Sequence, residues 1–143
     1  MTTPVSDQLA RFLRTTVFPA IAGTKRASGS VQLNPAWYEF RDGSFWLNTR
    51  PGTRWLAHIE RDRQATLLLV DPANPSQTAH AQTRLIRTTP DNGLKHAGAL
   101  SRRYTGKPYQ GPPGPRIIIQ LEPTKITYSI GIRPHHNPST PSN

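Results

Sequence analysis

The sequence predicts an α+β fold built on a small antiparallel β barrel, and three observations carry that prediction. Short stretches of alternating or wholly apolar residues recur with turn residues between them, the Asp42-Gly43 pair separates two of these stretches, and the segments with helical spacing are few and short. Six or seven strands with two or three short peripheral helices account for a chain of 143 residues and 15.9 kDa, a length that suits one domain. That domain is expected over residues 1–130, followed by a disordered C-terminal tail, residues 131–143, which is rich in proline and poor in apolar residues.

The elements follow in order. Leu9, Phe12 and Leu13 recur three to four apart after the capping candidates Ser6 and Asp7, which predicts a helix over residues 6–15. The apolar run 16–24 and the alternating stretch 30–40 read as a hairpin whose connector contains Gly29, with Pro19 and Pro35 marking bulges or edges. Asp42-Gly43 tolerates the positive φ angles of a tight turn and joins 37–40 to 45–49. Trp55, Leu56 and Ile59 share one side of a two-turn helix ending near Asp62. Residues 65–70 are apolar without alternation, as in a strand covered on both faces. Residues 78–88 form the next strand and 94–104 a further short helix. The glycine- and proline-rich stretch 105–115 is an irregular loop, and two last strands, 116–122 and 125–130, are separated by Pro123-Thr124.

Composition narrows the function. The formal net charge is +10 and the pI about 11.1, which predicts attraction to a polyanion or a phosphorylated ligand. The cations are scattered and form no block, which speaks against a nucleic-acid-binding tail. Cysteine is absent, which excludes disulfides and thiolate metal sites. His80, His96, His135 and His136 have no carboxylate at ligand spacing, so no metal is expected. No stretch approaches the roughly 18 apolar residues of a membrane span, and a soluble cytoplasmic protein with no membrane partner is expected. Hydrolase and nucleotide-loop motifs are missing.

The chemistry-bearing stretch is the basic turn Arg50-Pro51-Gly52-Thr53-Arg54 between a strand ending in Asn48-Thr49 and the helix at Trp55. Backbone amides at a helix start, two threonine hydroxyls and two guanidinium groups can meet one phosphate; a plain turn with solvated arginines is the alternative. His58 is either a polar contact to a ring or a helix-surface histidine. Trp37, Tyr38, Trp46 and Trp55 are either stacking surfaces or core, with Trp46 assigned to the core. The loop between Tyr104 and Tyr109 either closes over a substrate or simply connects.

Several stretches in order resemble the pyridoxamine-phosphate-oxidase-like split β-barrel family, in its flavin and deazaflavin oxidoreductase branch. They are Gly29-Ser30 leading into Pro35-Ala36-Trp37-Tyr38-Glu39-Phe40, then Thr49-Arg50-Pro51-Gly52-Thr53, then Arg61-Asp62 with 65–71 and Pro72-Ala73-Asn74-Pro75, and lastly 100–106 followed by 116–123. The resemblance implies a homodimer with two cofactor sites at the subunit seam. The cofactor it implies is the deazaflavin coenzyme F420 or, alternatively, FMN, acting on a small organic substrate by hydride transfer. It further implies that Asn34, Pro35, Ala36 and Trp37 back the ring. Thr49, Arg50, Gly52, Thr53 and Arg54 would hold the phosphate, with Asn48, Trp55 and His58 as further cofactor-binding residues beside it. Where many relatives write Ala-Lys-Ala-Arg-Asn-Leu after the Gly-Thr turn, this chain has Arg54-Trp55-Leu56-Ala57-His58-Ile59. Two cations of the phosphate site are therefore replaced, and Arg50 and Arg54 are the candidates to stand in for them. The competing readings are a basic barrel that stacks single-stranded nucleic acid on Trp37, Tyr38 and Trp55, and a cofactor-binding protein without turnover.

Overall fold

The computed structural model describes residues 5–130; residues 131–143, where the tail is expected, lie outside the described residues. Helix α1 spans Asp7–Thr15, and the Ser6 hydroxyl caps it by accepting from the Leu9 amide at 3.2 Å. Strand β1 is Ala20–Lys25 rather than the whole run from residue 16. The Thr16 amide is spent closing α1 on the Phe12 carbonyl (3.0 Å), and Pro19 has no N–H for a ladder. Strands β2 (Val31–Ala36), β3 (Tyr38–Arg41) and β4 (Ser44–Thr49) follow, then helix α2 (Arg54–Asp62), β5 (Gln64–Asp71), β6 (Asn74–Pro90), helix α3 (Lys95–Thr105) and β7 (Ile117–Ser129). Asp42 and Gly43 take φ of 52° and 73° in the β3–β4 turn, the conformation that an Asp-Gly pair accepts.

All seven strands pair antiparallel in the order β2-β1-β5-β6-β7-β4-β3. The two edge strands, β2 and β3, are consecutive in the chain and joined by Trp37 alone. A single residue cannot cross a flat seven-stranded sheet, because neighbouring strands lie about 4.8 Å apart. The sheet therefore curls until its edges meet at Trp37 and part elsewhere, which makes it a split half-barrel. Alternate residues fill its interior: Phe45 and Leu47, Leu67 and Leu69, Ala79 and Ala81, Ile119 and Leu121. Helix α1 closes one opening with Leu9 and Leu13, and α2 packs Trp55, Leu56 and Ile59 toward β1 and β5. Among the described residues no helix is long and apolar enough to cross a membrane.

Three strand expectations need correction. β5 alternates after all: Leu67 and Leu69 are buried, whereas Leu68 is 38% exposed, so a single chain covers only one of its faces. The last two strands are one. Pro123 pairs with Thr83 and a register irregularity falls at Thr124, beyond the end of the β4 pairing at Leu121, so β7 there has one neighbour and a missing N–H is tolerated. Trp46 lies half-buried on the outer side of β4, between the inward Phe45 and Leu47. The Arg41 guanidinium covers its ring at 3.9 Å and its indole N–H donates to the Arg41 carbonyl at 3.1 Å.

Candidate functional site

A cleft of about 320 Å³ opens where the sheet edges meet. Pro35, Ala36 and Trp37 form one wall, Asn48, Thr49 and Trp55 the floor and second wall, and Ala97, Leu100, Tyr109 and Arg116 the remainder. Its position follows from the topology: β2 runs out at Ala36, β4 at Thr49, and α2 starts beside them.

Trp37 is held by one face. Its ring stacks on Tyr104 at 5.0 Å between centroids and 4° between planes, and it stays 37% exposed on the cleft side. Tyr104 is fixed in turn, its hydroxyl donating to the Phe18 carbonyl (3.1 Å) and accepting from the Tyr38 amide (3.2 Å). Burial raises the Tyr104 phenol above its ordinary value, and burial raises that of Tyr38 further. Both hydroxyls thus stay protonated donors. Tyr38 is wholly interior, donating to the Leu13 carbonyl at 2.8 Å.

The basic turn begins at one end of the cleft. Thr49 is buried and its hydroxyl meets that of Thr53 at 3.1 Å. Thr53 occupies the N-cap of α2 without making a side-chain cap, and no acidic residue lies in the first turn. The amides at that helix start are left to other acceptors. Gly52 takes φ 81° with open space around it. Among the described residues Arg50 and Arg54 make no ion pair or hydrogen bond. Arg50 borders a smaller hollow of about 250 Å³ with Pro51, residues 112–115 and Arg116. This donor set, two hydroxyls, helix amides and two guanidinium groups, has the chemistry of a phosphate cradle.

Six of the sequence-derived site residues line the cleft: Pro35, Ala36, Trp37, Asn48, Thr49 and Trp55. Arg50, Gly52, Thr53 and Arg54 continue from it along the turn. Asn34 lies back on β2, where its side-chain Oδ1 accepts from the Gln32 Nε2 at 2.9 Å. His58 points to β1, its Nδ1 3.0 Å from the Thr24 hydroxyl. Trp55 is 7% exposed and belongs to the core while its edge walls the cleft, so it borders the space without filling it.

Sequence reasoning missed a polar network behind the cleft. Arg116 Nε can only donate, so the Asn48 amide oxygen faces it. The Asn48 nitrogen then donates to Asp91 Oδ2 (3.1 Å) and His96 Nδ1 (3.0 Å). With Nδ1 accepting, His96 carries its proton on Nε2 and donates to Glu39 at 3.1 Å. Asp91 also accepts the amides of His96 and Ala97 at 2.9 Å each, capping α3. An aspartate ahead of a helix was the visible signal; nothing local ties it to Asn48, 43 residues away.

Burial works to raise the Glu39 carboxyl, but hydrogen bonds from His96 and Arg41 outweigh it and hold it below its ordinary value. A depressed folded value contributes stability above the unfolded glutamate value, about 4.3, that is lost as pH falls through the folded one. The loss of stability between pH 6 and pH 3 is therefore expected to be smaller in Glu39→Gln than in the parent, read from urea midpoints across that range. Equal losses would show that Glu39 carries none of the acid sensitivity.

No curated protein sequence matches the chain. Among solved structures it is similar to one described as an F420 reductase, at 20% identity and TM-score 0.75, covering 87% of this chain and 98% of that one. It is also similar to a conserved hypothetical protein from Mycobacterium tuberculosis, at 16% identity and TM-score 0.66, with 95% and 92% covered. An FAD-binding protein from Mesorhizobium loti matches at 10% identity and TM-score 0.61, with 88% and 93% covered. These likenesses show the fold. The family model for pyridoxamine 5'-phosphate oxidase matches residues 5–130, so the half-barrel and its cleft are those of a chain that belongs to the pyridoxamine 5'-phosphate oxidase family.

Proposed function

We propose that the protein is a cytoplasmic homodimeric oxidoreductase that binds the deazaflavin coenzyme F420, or alternatively FMN, in this cleft and acts on a small organic molecule. The observation that carries the reading is a Tyr104-backed Trp37 face beside an uncapped, acid-free helix start with two uncommitted arginines. When bound, a flavin or deazaflavin ring supplies the hydride donor or acceptor. The chain positions and shields it: Trp37 and Trp55 give apolar walls, Thr49 and Thr53 offer hydroxyls, and Arg50 and Arg54 face the phosphate. The F420 reductase and the FAD-binding protein among the structural neighbours support this choice of cofactor class. The nucleic-acid alternative is weakened because Tyr38 and Trp55, two of its three stacking surfaces, are buried.

Arg54→Ala is expected to weaken cofactor binding by about 1 to 3 kcal/mol, roughly five- to 150-fold, with a shallower salt dependence. Absorbance titration with the deazaflavin and with FMN at low salt measures this, and the deazaflavin is expected to bind tighter because its acidic tail adds charge for a +10 chain. Absence of binding by either cofactor would remove the reading.

The second copy is expected on the outer face of β2, β1 and β5. There the polarity of β2 is inverted: Val31 and Leu33 are 57% and 67% exposed while Gln32 and Asn34 turn inward. Ile21, Gly23, Thr66 and Leu68 continue the same apolar face. Leu33→Asp should convert a dimer to monomer in sedimentation at micromolar concentration, and a parent that sediments only as monomer would defeat the assignment.

A further inference from the structure

Among the described residues Arg116 is the one charged side chain lining the cleft, and no carboxylate lines it. Two neighbours hold the guanidinium from the side: its Nε donates to Asn48, and its Nη1 lies 3.4 Å from the Tyr109 hydroxyl, whose ring sits 5.7 Å away. Asn48 is itself locked, because Asp91 and His96 take both amide protons. The half-buried Arg116 therefore has a fixed direction and, among the described residues, retains guanidinium N–H groups committed to no carboxylate. Around it the cleft is apolar, with Trp37, Trp55, Ala97 and Leu100.

We propose that Arg116 recognises a carboxylate on the small-molecule substrate, which makes the substrate class an aromatic or apolar acid. This deepens the function proposed above and rests on it for the cleft being the reaction site. A planar guanidinium with a pre-set direction binds a carboxylate through parallel charge-assisted hydrogen bonds, which a neutral amide of the same shape cannot match. Ala97 and Leu100, the apolar side chains not given to the ring, take the body of the ligand, and Arg116 sets which end enters. Asn48 and Tyr109 are positioning residues, acting through the guanidinium.

The test compares benzoate with benzamide, read by the fluorescence of the tryptophans at the cleft, with and without saturating deazaflavin. The parent is expected to bind benzoate about tenfold or more tighter than benzamide. In Arg116→Gln the ratio should fall to near one, and Arg116→Lys should keep part of it. Because both probes share the ring, a general loosening of the cleft weakens both and leaves the ratio alone. Equal binding of the two probes, failure of both to bind, or an unchanged ratio in Arg116→Gln would overturn the proposal. So would one-for-one displacement of benzoate by the deazaflavin, which would assign Arg116 to the coenzyme's own carboxylates. The cofactor titrations fail separately: a benzoate preference without any cofactor binding would leave a carboxylate site and remove the redox reading, whereas cofactor binding without the preference removes only this inference.

Discussion

Replacing Arg103 with alanine is expected to lower the free energy of unfolding by about 3 to 5 kcal/mol. Charge-assisted hydrogen bonds contribute roughly 1.5 to 3 kcal/mol each and do not add fully. The guanidinium donates to the carbonyls of Leu13 (3.3 Å), Thr16 (2.8 Å) and Tyr38 (2.9 Å), and also to that of Arg14. Three of these belong to the last turn of α1 and the residue that ends it, where carbonyls have no partner within the helix and a cation meets the negative end of the helix dipole. The fourth opens β3. One side chain on α3 thus ties α1 to the seam of the barrel, and it lies over the Tyr38 and Tyr104 rings at 5.1 and 5.4 Å. Arg103→Lys should recover less than half of the loss, because an ammonium cannot reach several carbonyls at once from a planar fork. Urea unfolding measures both; a loss under about 1 kcal/mol for the alanine variant would mean that water serves those carbonyls equally well.

Local chemistry made much of the fold legible in the sequence. Ser6 before a helical spacing, Asp42-Gly43 between alternating stretches and the apolar side of 55–59 each specify an element with no need of tertiary information, and each stands as expected. What failed depended on neighbours distant in the chain. Whether Pro123 breaks a strand depends on whether β4 is still beside it, and the sequence around Pro123 does not contain that fact. Trp46 reads as core by its type, yet the pleat assigns it outward because Phe45 and Leu47 are inward. The candidate site divides the same way. The Pro35–Trp37 wall and the Thr49–Arg54 turn are contiguous segments that a motif can reveal. Asn48, Asp91, His96 and Arg116 come from four separate elements or their junctions, and only the curl of the sheet brings them together.

That assembled network yields the second large effect. Asn48→Leu keeps the approximate volume but removes one acceptor and two donors, leaving the buried His96 Nδ1 and the Arg116 Nε without their partner. An unserved buried polar group costs roughly 1 to 3 kcal/mol, so a loss of about 2 to 4 kcal/mol is expected, Asp91 being partly compensated by its two backbone amides. The cause can be isolated by a double-mutant cycle. His96→Leu alone takes one acceptor from the Asn48 nitrogen, which keeps Asp91, and one donor from Glu39, which keeps Arg41, whereas Asn48→Leu with His96→Leu places two apolar groups against each other, and removing both partners is far cheaper than removing one. The double variant is therefore expected to be more stable than the sum of the single losses by about 1 kcal/mol or more. Additive losses in urea unfolding would mean that Asn48 and His96 are neighbours without being coupled. In that case the direction of Arg116 would be set by Tyr109 and the backbone, and not by the chain of hydrogen bonds from Glu39.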